Sequence, residues 1–275
     1  MKASKIIIYD DGCPLCAAYT SAFVAAGILN EQGRKNFSNI DAATFELIDK
    51  AKCKNEIPLI DTETKQVWYG IEALLELLGS KIPIVKLIGN IKPVKWLLHK
   101  IYRFISYNRK VIVGIALKNG YDCSPDFNIK YRILFLVCFF SFNTLMLLPL
   151  HNSVFSNSFI GGSSFVQLQT AHFILVAVNV LTAALLGLKK GIEYLGQVNM
   201  LALTSILLII PLYFIKSYTN FSDKDINNFY LGFTAMVIVQ DYIRRMKYAL
   251  ILPKQWWIVV INIISLLTFF IYLVY

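Results

Sequence analysis

The chain has 275 residues, 56% of them hydrophobic, a net charge of +10 and five cysteines, with a mean hydropathy of +0.56. That is too apolar for an ordinary soluble protein and too poor in cysteine for a disulfide scaffold. The charge does not describe a nucleic-acid surface either. The basic residues are spread along the first half and then gather in short loops between apolar segments, which is the pattern that orients membrane helices.

Residues 1–125 carry 17 Lys/Arg and 12 Asp/Glu, whereas residues 126–275 carry 10 and 5. A globular domain over 1–125, followed by a transmembrane helical domain over 126–275, is therefore expected. The amino terminus, MKASKIIIYDDG, has only three isoleucines before two aspartates, too short an apolar run for a secretory signal. The first domain is accordingly expected in the cytoplasm. There, stable disulfides are disfavoured and a close cysteine pair reads as catalytic or metal-binding.

In chain order, residues 5–9 read as a buried strand and 14–26 as a helix, with Pro14 at its first position and Gly27 just past its end. A strand is expected around 37–40, then a helix over 42–51 capped by Asp41. Two short strands at 58–60 and 66–69 flank a hairpin-like turn, and helices follow at 71–78 and 94–107. This order predicts an α/β domain that starts parallel and finishes antiparallel.

The stretch YDDGCPLC, residues 9–16, sits where the first strand turns into the first helix. Cys13 falls at the helix amino terminus, where free backbone N–H groups and the positive end of the macrodipole favour a thiolate. Cys16 lies one turn further on the same side, close enough to close a disulfide ring and expected to be the less exposed thiol. Asp10 and Asp11 oppose the thiolate, but a carboxylate can take the proton of the second thiol as a general base. Asp10, at the end of the strand, suits that inward role, and Asp11 suits a place in water. The competing use is a metal. A tetrahedral zinc site needs four ligands, no second CxxC exists, and Cys53 and His99 would have to be recruited.

Three segments carry a family resemblance: Asp10, Cys13 and Cys16 in DxxCxxC; VWYGIEAL at 67–74; and IYRFISYNR at 101–109. Together they resemble the DCC family of thiol-disulfide oxidoreductases. The one small departure is Asp11, which stands where the family commonly has Gly. The resemblance covers roughly residues 5–110 and implies a thioredoxin-like fold with a redox role whose substrates it does not define. In thioredoxin-like folds a cis proline begins the strand beside the CxxC, and Pro58 stands at a suitable place. Tyr102, Asn108 and Arg109 match the third motif. Arg109 either pairs with an acid such as Asp10 or binds the last carbonyls of its helix. Trp68 and Gly70 suit packing and a turn.

Five segments of the second half, each about 18–23 residues, are long enough to span: 131–150, 166–188, 198–215, 229–246 and 256–275. The fourth contains Gln240 and Asp241, so a four-span protein with one interfacial helix is the alternative. Basic residues are rich, absent, rich, poor and rich in successive loops. That alternation places the first domain inside and Tyr275 outside an inner membrane. Asp241 meets Arg244 and Arg245 at i+3 and i+4. Deeper polar residues, His172, Asn179 and Thr182 on one stripe and Asn143 mid-span, serve either interhelical hydrogen bonds or a polar cavity for a small substrate, proton or quinone. Of the thiols only Cys138 lies in a span, which argues against a self-contained transmembrane relay; Cys123 is a shuttle or an unpaired linker thiol.

The sequence therefore predicts a membrane-anchored thiol-disulfide oxidoreductase working on cytoplasmic thiols or disulfides, with Cys13 attacking, Cys16 resolving and Asp10 assisting. Pro58, Arg109 and Tyr102 support that site. No cofactor is expected beyond the redox-active pair, and no metal. The expected partners are the lipid bilayer and a protein or small molecule bearing a thiol or disulfide. The alternative is a transporter or assembly component whose first domain is a redox sensor or docking module, with His172, Asn179 and Asn143 as its polar site.

Overall fold

The computed structural model describes residues 5–114, 125–219, 223–252 and 254–275; Cys123 lies outside them. The chain divides into two compact units, Met1–Tyr131 and Arg132–Tyr275.

The first unit is a four-stranded mixed sheet with helices, in the strand order β2-β1-β3-β4. Strand β1 (Lys5–Tyr9) and β2 (Arg34–Asn36) pair in parallel, with Tyr9 opposite Asn36. Strand β3 (Pro58–Asp61) runs antiparallel to β1, with Ile7 opposite Leu59, and β4 (Val67–Tyr69) runs antiparallel to β3. The parallel start and antiparallel finish are as the element order predicts. Ile6, Ile7 and Ile8 are all buried because both faces of the sheet are covered. Their side chains alternate. Ile6 and Ile8 pack with Phe37, Ile48, Cys53 and Ile60, while Ile7 packs with Leu29, Leu59, Ala73 and Leu77 on the other face.

The helices are α1 (Pro14–Ala25), α2 (Ala42–Leu47), α3 (Lys50–Cys53), α4 (Gly70–Gly79), α5 (Pro83–Gly89) and α6 (Lys92–Val113). Three of these boundaries correct the sequence reading. The second strand lies at 34–36 rather than 37–40. Gly33 fixes this register: a side chain there would stand 2.6 Å from the Lys5 carbonyl oxygen, so the chain closes on β1 at that point. Phe37 then turns inward in a single 3₁₀ turn. The expected helix over 42–51 breaks at Ile48, which is extended and buried in the core. Asp49 caps a new turn by accepting from the N–H groups of Ala51 and Lys52. The short helix α5, opened by Pro83, was not expected from the sequence.

The second unit is helical: α7 (Ile129–Ser153), α8 (Phe165–Ala184), α9 (Leu188–Thr219), α10 (Lys224–Tyr248) and α11 (Trp256–Val274). Among the described residues four helices, α7, α8, α9 and α11, are long and apolar enough to cross a membrane. The other expected segment, 229–246, is helical but is not one of the four, because Asn227, Asn228, Gln240 and Asp241 make its helix too polar. It nevertheless runs antiparallel along α9. Arg245 Nη1 donates to Gln197 Oε1 at 3.0 Å near one end, and the Tyr230 hydroxyl donates to the Leu208 carbonyl at 2.6 Å further along. The loop expected over 189–197 is also helix: only residues 185–187 separate α8 from α9. Its polar residues are satisfied in place, with Glu193 3.3 Å from Arg132 and accepting from Gln197.

Candidate active site

The turn after β1 delivers the cysteines. Asp10 Oδ1 accepts from the Gly12 N–H at 3.0 Å, and the Cys13 N–H donates to the Asp10 carbonyl at 3.1 Å. Cys13 is left extended at the N-cap of α1, and Pro14, which has no N–H to lose, starts the helix. Cys16 follows one turn on. Thr20 donates to the Cys16 carbonyl at 2.7 Å and receives Arg34 Nε at 3.0 Å, which braces that first turn from the β2 side. Asp11 is exposed and accepts from Ser38, as its place in water requires.

Both cysteines are free thiols. They are 1% and 3% exposed respectively, so Cys16 is not the more shielded of the two. Their environments differ in charge. The Cys13 thiol is lowered to about 6, chiefly because the Cys16 thiol donates to its sulfur; the Cys16 N–H and the Arg109 charge add to this, and together they outweigh burial. Cys16 is correspondingly pushed above the ordinary thiol range by that same hydrogen bond and by burial. The two shifts run in opposite directions, so Cys13 is the thiol that ionises first.

Beside Cys16 lies a cleft of about 10 Å³, no larger than one water-sized sphere. Asp10, Cys16, Cys53, Pro58 and Arg109 are among the residues lining it. Arg109 Nη1 donates to Cys16 Sγ at 3.9 Å, and Arg109 Nη2 stands 3.7 Å from Asp10 Oδ2. Arg109 therefore takes the acid-pairing place rather than the carbonyls at the end of its own helix. Lys110, 4% exposed, brings a second cation, its Nζ 3.6 Å from the same Asp10 oxygen. Among the described residues neither Asp10 Oδ2 nor Lys110 Nζ has a hydrogen-bond partner. The site holds Asp10 and two basic side chains out of water, and of these the Arg109 charge favours the Cys13 thiolate while Asp10 opposes it. Cys53, by contrast, is pushed up to about 12 by burial and by Asp49. Among the described residues no three His, Cys, Asp or Glu side chains gather as a metal site.

Helix α6 holds the segment before Pro58. Arg109 Nη2 donates to the Lys54 carbonyl at 2.9 Å, Ser106 donates to the Asn55 carbonyl, and the Ile57 N–H donates to the Tyr102 hydroxyl at 2.9 Å. Tyr102, Ser106 and Arg109 stand at i, i+4 and i+7, one helical face set against residues 54–57. Pro58, next in line, opens β3. Gly70 completes the support. Its φ is +59°, and a side chain there would meet the Tyr102 ring at 3.2 Å, so only glycine lets α4 begin against that ring.

The structure thus brings Asp10, Cys16, Pro58 and Arg109 to one cleft, with Cys13 at the adjoining helix end and Tyr102 behind. It does not gather the polar residues of the helical unit. Asn143 donates to Asn199 Oδ1 at 3.1 Å, and His172 bonds Thr144 at 3.2 Å. Asn179 meets the Tyr194 hydroxyl, which also reaches Asn262 at 2.8 Å. Each of the three has a different neighbour. Lys110 and Ser106 were missed from the sequence. Ser106 carried a signal, its spacing from Tyr102 and Arg109. Lys110 carried none, since only the fold sets it against Asp10.

Comparison with known proteins agrees with this geometry. Residues 7–115 match the family model of the DCC1-like thiol-disulfide oxidoreductase. A search of curated proteins and of solved structures returns no match. Residues 7–115 are thus similar to a DCC1-like thiol-disulfide oxidoreductase domain, and in the same chain they are followed by four described helices long and apolar enough to cross a membrane.

Proposed function

We propose that the protein is a membrane-anchored dithiol reductase or oxidase of cytoplasmic thiols and disulfides. The observation that carries this reading is the pairing at the start of α1. Cys13 accepts a proton-bearing contact from Cys16, and Arg109 stands 3.9 Å from the Cys16 sulfur. In the reducing direction the Cys13 thiolate attacks one sulfur of a substrate disulfide, and the other sulfur leaves as a thiolate. Cys16 then loses its proton to the Asp10 carboxylate, its new charge being balanced by Arg109. The Cys16 thiolate attacks the Cys13 sulfur of the mixed disulfide and releases the second substrate thiolate. Two electrons pass to the substrate, and the Cys13–Cys16 disulfide that forms is reset by an external thiol.

The first unit faces the cytoplasm and Tyr275 lies outside, with α10 as a fifth crossing. The alternation of basic residues between the apolar segments supports this, as does the antiparallel packing of α10 along α9. A carboxy-terminal reporter that reads cytoplasmic would overturn it. The function is tested with full-length Cys16→Ser in membranes. A mixed disulfide on Cys13 should accumulate, be released by a reductant and be absent from Cys13→Ser/Cys16→Ser. Failure to trap any partner, together with failure of the unmodified protein to reduce a small disulfide, overturns the enzyme reading. The domain then becomes a docking or sensing module.

A further inference from the structure

Helix α6 turns one face to the thiol site and leaves large apolar side chains elsewhere on it exposed. Trp96, Leu97, Ile101 and Ile105 are exposed, Trp96 by 63%. The pattern begins earlier, on α5 and the residues around it. Ile84, Leu87, Ile88 and Ile91 stand at i, i+3, i+4 and i+7, with Leu87 72% exposed. Single exposed apolar residues are ordinary, but eight on two consecutive helices form a surface that water alone does not explain.

Charge indicates what covers it. From Glu76 to Asp122 the sequence has no acidic residue, and residues 80–110 carry eight Lys/Arg. Two of the lysines are used within the domain, Lys86 by Glu76 and Lys95 by Glu72. Arg109 and Lys110 turn inward to Asp10. That leaves Lys81, Lys92, Lys100 and Arg103, all exposed. Lys92, Trp96, Lys100 and Arg103 follow one edge of the apolar stripe, and the Lys100 ammonium stands 5.7 Å from the Trp96 ring. Apolar residues on one side, an aromatic at the border and cations beyond it are the pattern of a helix lying in a lipid–water interface. The start of the first apolar helix lies against this helix: Asn108 Nδ2 on α6 donates to the Tyr131 carbonyl at 3.2 Å, and the Tyr107 and Tyr131 rings stack.

We infer that α5 and α6 form an interfacial membrane-docking surface that seats the thiol domain on an anionic phospholipid leaflet. Its apolar stripe enters the acyl boundary, and Lys81, Lys92, Lys100 and Arg103 meet the phosphates. Because α6 also carries Tyr102, Ser106 and Arg109, seating fixes the orientation of the helix that holds the cleft. The inference is independent of which way electrons flow.

The test uses the full chain reconstituted in vesicles of phosphatidylcholine with phosphatidylglycerol. The vesicles contain a phospholipid with a photoactivatable diazirine on its acyl chain, and adducts are mapped by mass spectrometry. Adducts are expected across residues 82–105 as well as on α7 and α8. The triple variant Lys92→Glu/Lys100→Glu/Arg103→Glu should lower the yield on 82–105 roughly tenfold and leave that on α7 unchanged. Removing phosphatidylglycerol should act in the same direction. Leu87→Gln/Leu97→Gln provides a second, uncharged variant, with unchanged Cys13 alkylation as its folding control. Adducts on α7 without any on 82–105 overturn the inference. So does a yield on 82–105 indifferent to charge reversal and to lipid charge, or cross-links between two copies through this face in place of lipid adducts.

Discussion

The two units bury different polar groups: thiols beside charges in the first, amides, hydroxyls and ion pairs in the second. In the thiol domain Asp10, Arg109 and Lys110 come from distant parts of the chain to one place, and Asp10 Oδ2 and Lys110 Nζ have no hydrogen-bond partner among the described residues, beside two thiols. In the helical unit Asn143 meets Asn199, His172 meets Thr144 and Asn179 meets Tyr194 at separate points, while its charged groups run in a chain from Asp241 through Arg245, Gln197 and Glu193 to Arg132, with no thiol among them. Dispersed pairs hold helices together. A convergent, incompletely satisfied cluster is what shifts proton affinities and marks a reactive site.

Four substitutions and one titration sharpen or break this contrast. Cys13→Ser should lower disulfide reduction by the full-length protein on the order of a thousandfold or more, since the alkoxide equivalent is inaccessible at neutral pH. Activity above that level would remove Cys13 from the chemistry. Arg109→Met should destabilise the thiol domain by about 3 kcal/mol, because it leaves Asp10 one cation short out of water. It should also raise the pH at which Cys13 becomes reactive. Denaturant unfolding of the domain's signal and an alkylation profile read the two effects separately.

The titration follows from the lowered Cys13 thiol. A thiolate reacts and a thiol does not, so alkylation should fall as pH drops through about 6. Between pH 8 and pH 4 the loss should be about a hundredfold. Cys53, pushed up to about 12, should stay unmodified throughout. A Cys13 midpoint near 9 would mean that Cys16 and Arg109 do not stabilise its thiolate. Tyr102→Phe removes the acceptor of the Ile57 N–H and should cost about 1–2 kcal/mol, read by hydrogen exchange at residues 54–58. The smallest effect belongs to the helical unit. Tyr194→Phe should cost about 0.6 kcal/mol in the membrane and leave thiol exchange unchanged. If it or a His172 substitution abolished exchange in a stable protein, the two units would share one reaction and the contrast would fail.

Much of the site is legible in the sequence where the cause is local. A β-branched run, a turn and Pro14 are enough to place Cys13 at a helix start, because each acts within a few residues. Asp49 shows the limit. Its own capping power is local, but the break at Ile48 comes from the buried face of the sheet, which helix propensity does not register. Register fails for the same reason at 34–36, where the close approach of Gly33 to Lys5 decides which residues pair. In the helical unit, hydropathy finds the four apolar helices. The course of α10 depends on partners 48 and 22 residues away on α9.

By itself the sequence determined the cysteine pair, the helix end on which it stands, the order of the strands, and the apolar helices that follow. These are properties of short windows, fixed by backbone geometry and by the transfer of apolar side chains from water. Only the tertiary structure decided what surrounds the pair. It set Arg109 against Asp10, Cys16 and the Lys54 carbonyl, turned Lys110 inward to the same carboxylate, and left Trp96, Leu97, Ile101 and Ile105 of α6 exposed. The physical reason is sequence separation. Arg109 lies 93 residues from Cys16 and 55 from Lys54, and a long cationic side chain has many acceptors within reach until packing selects among them.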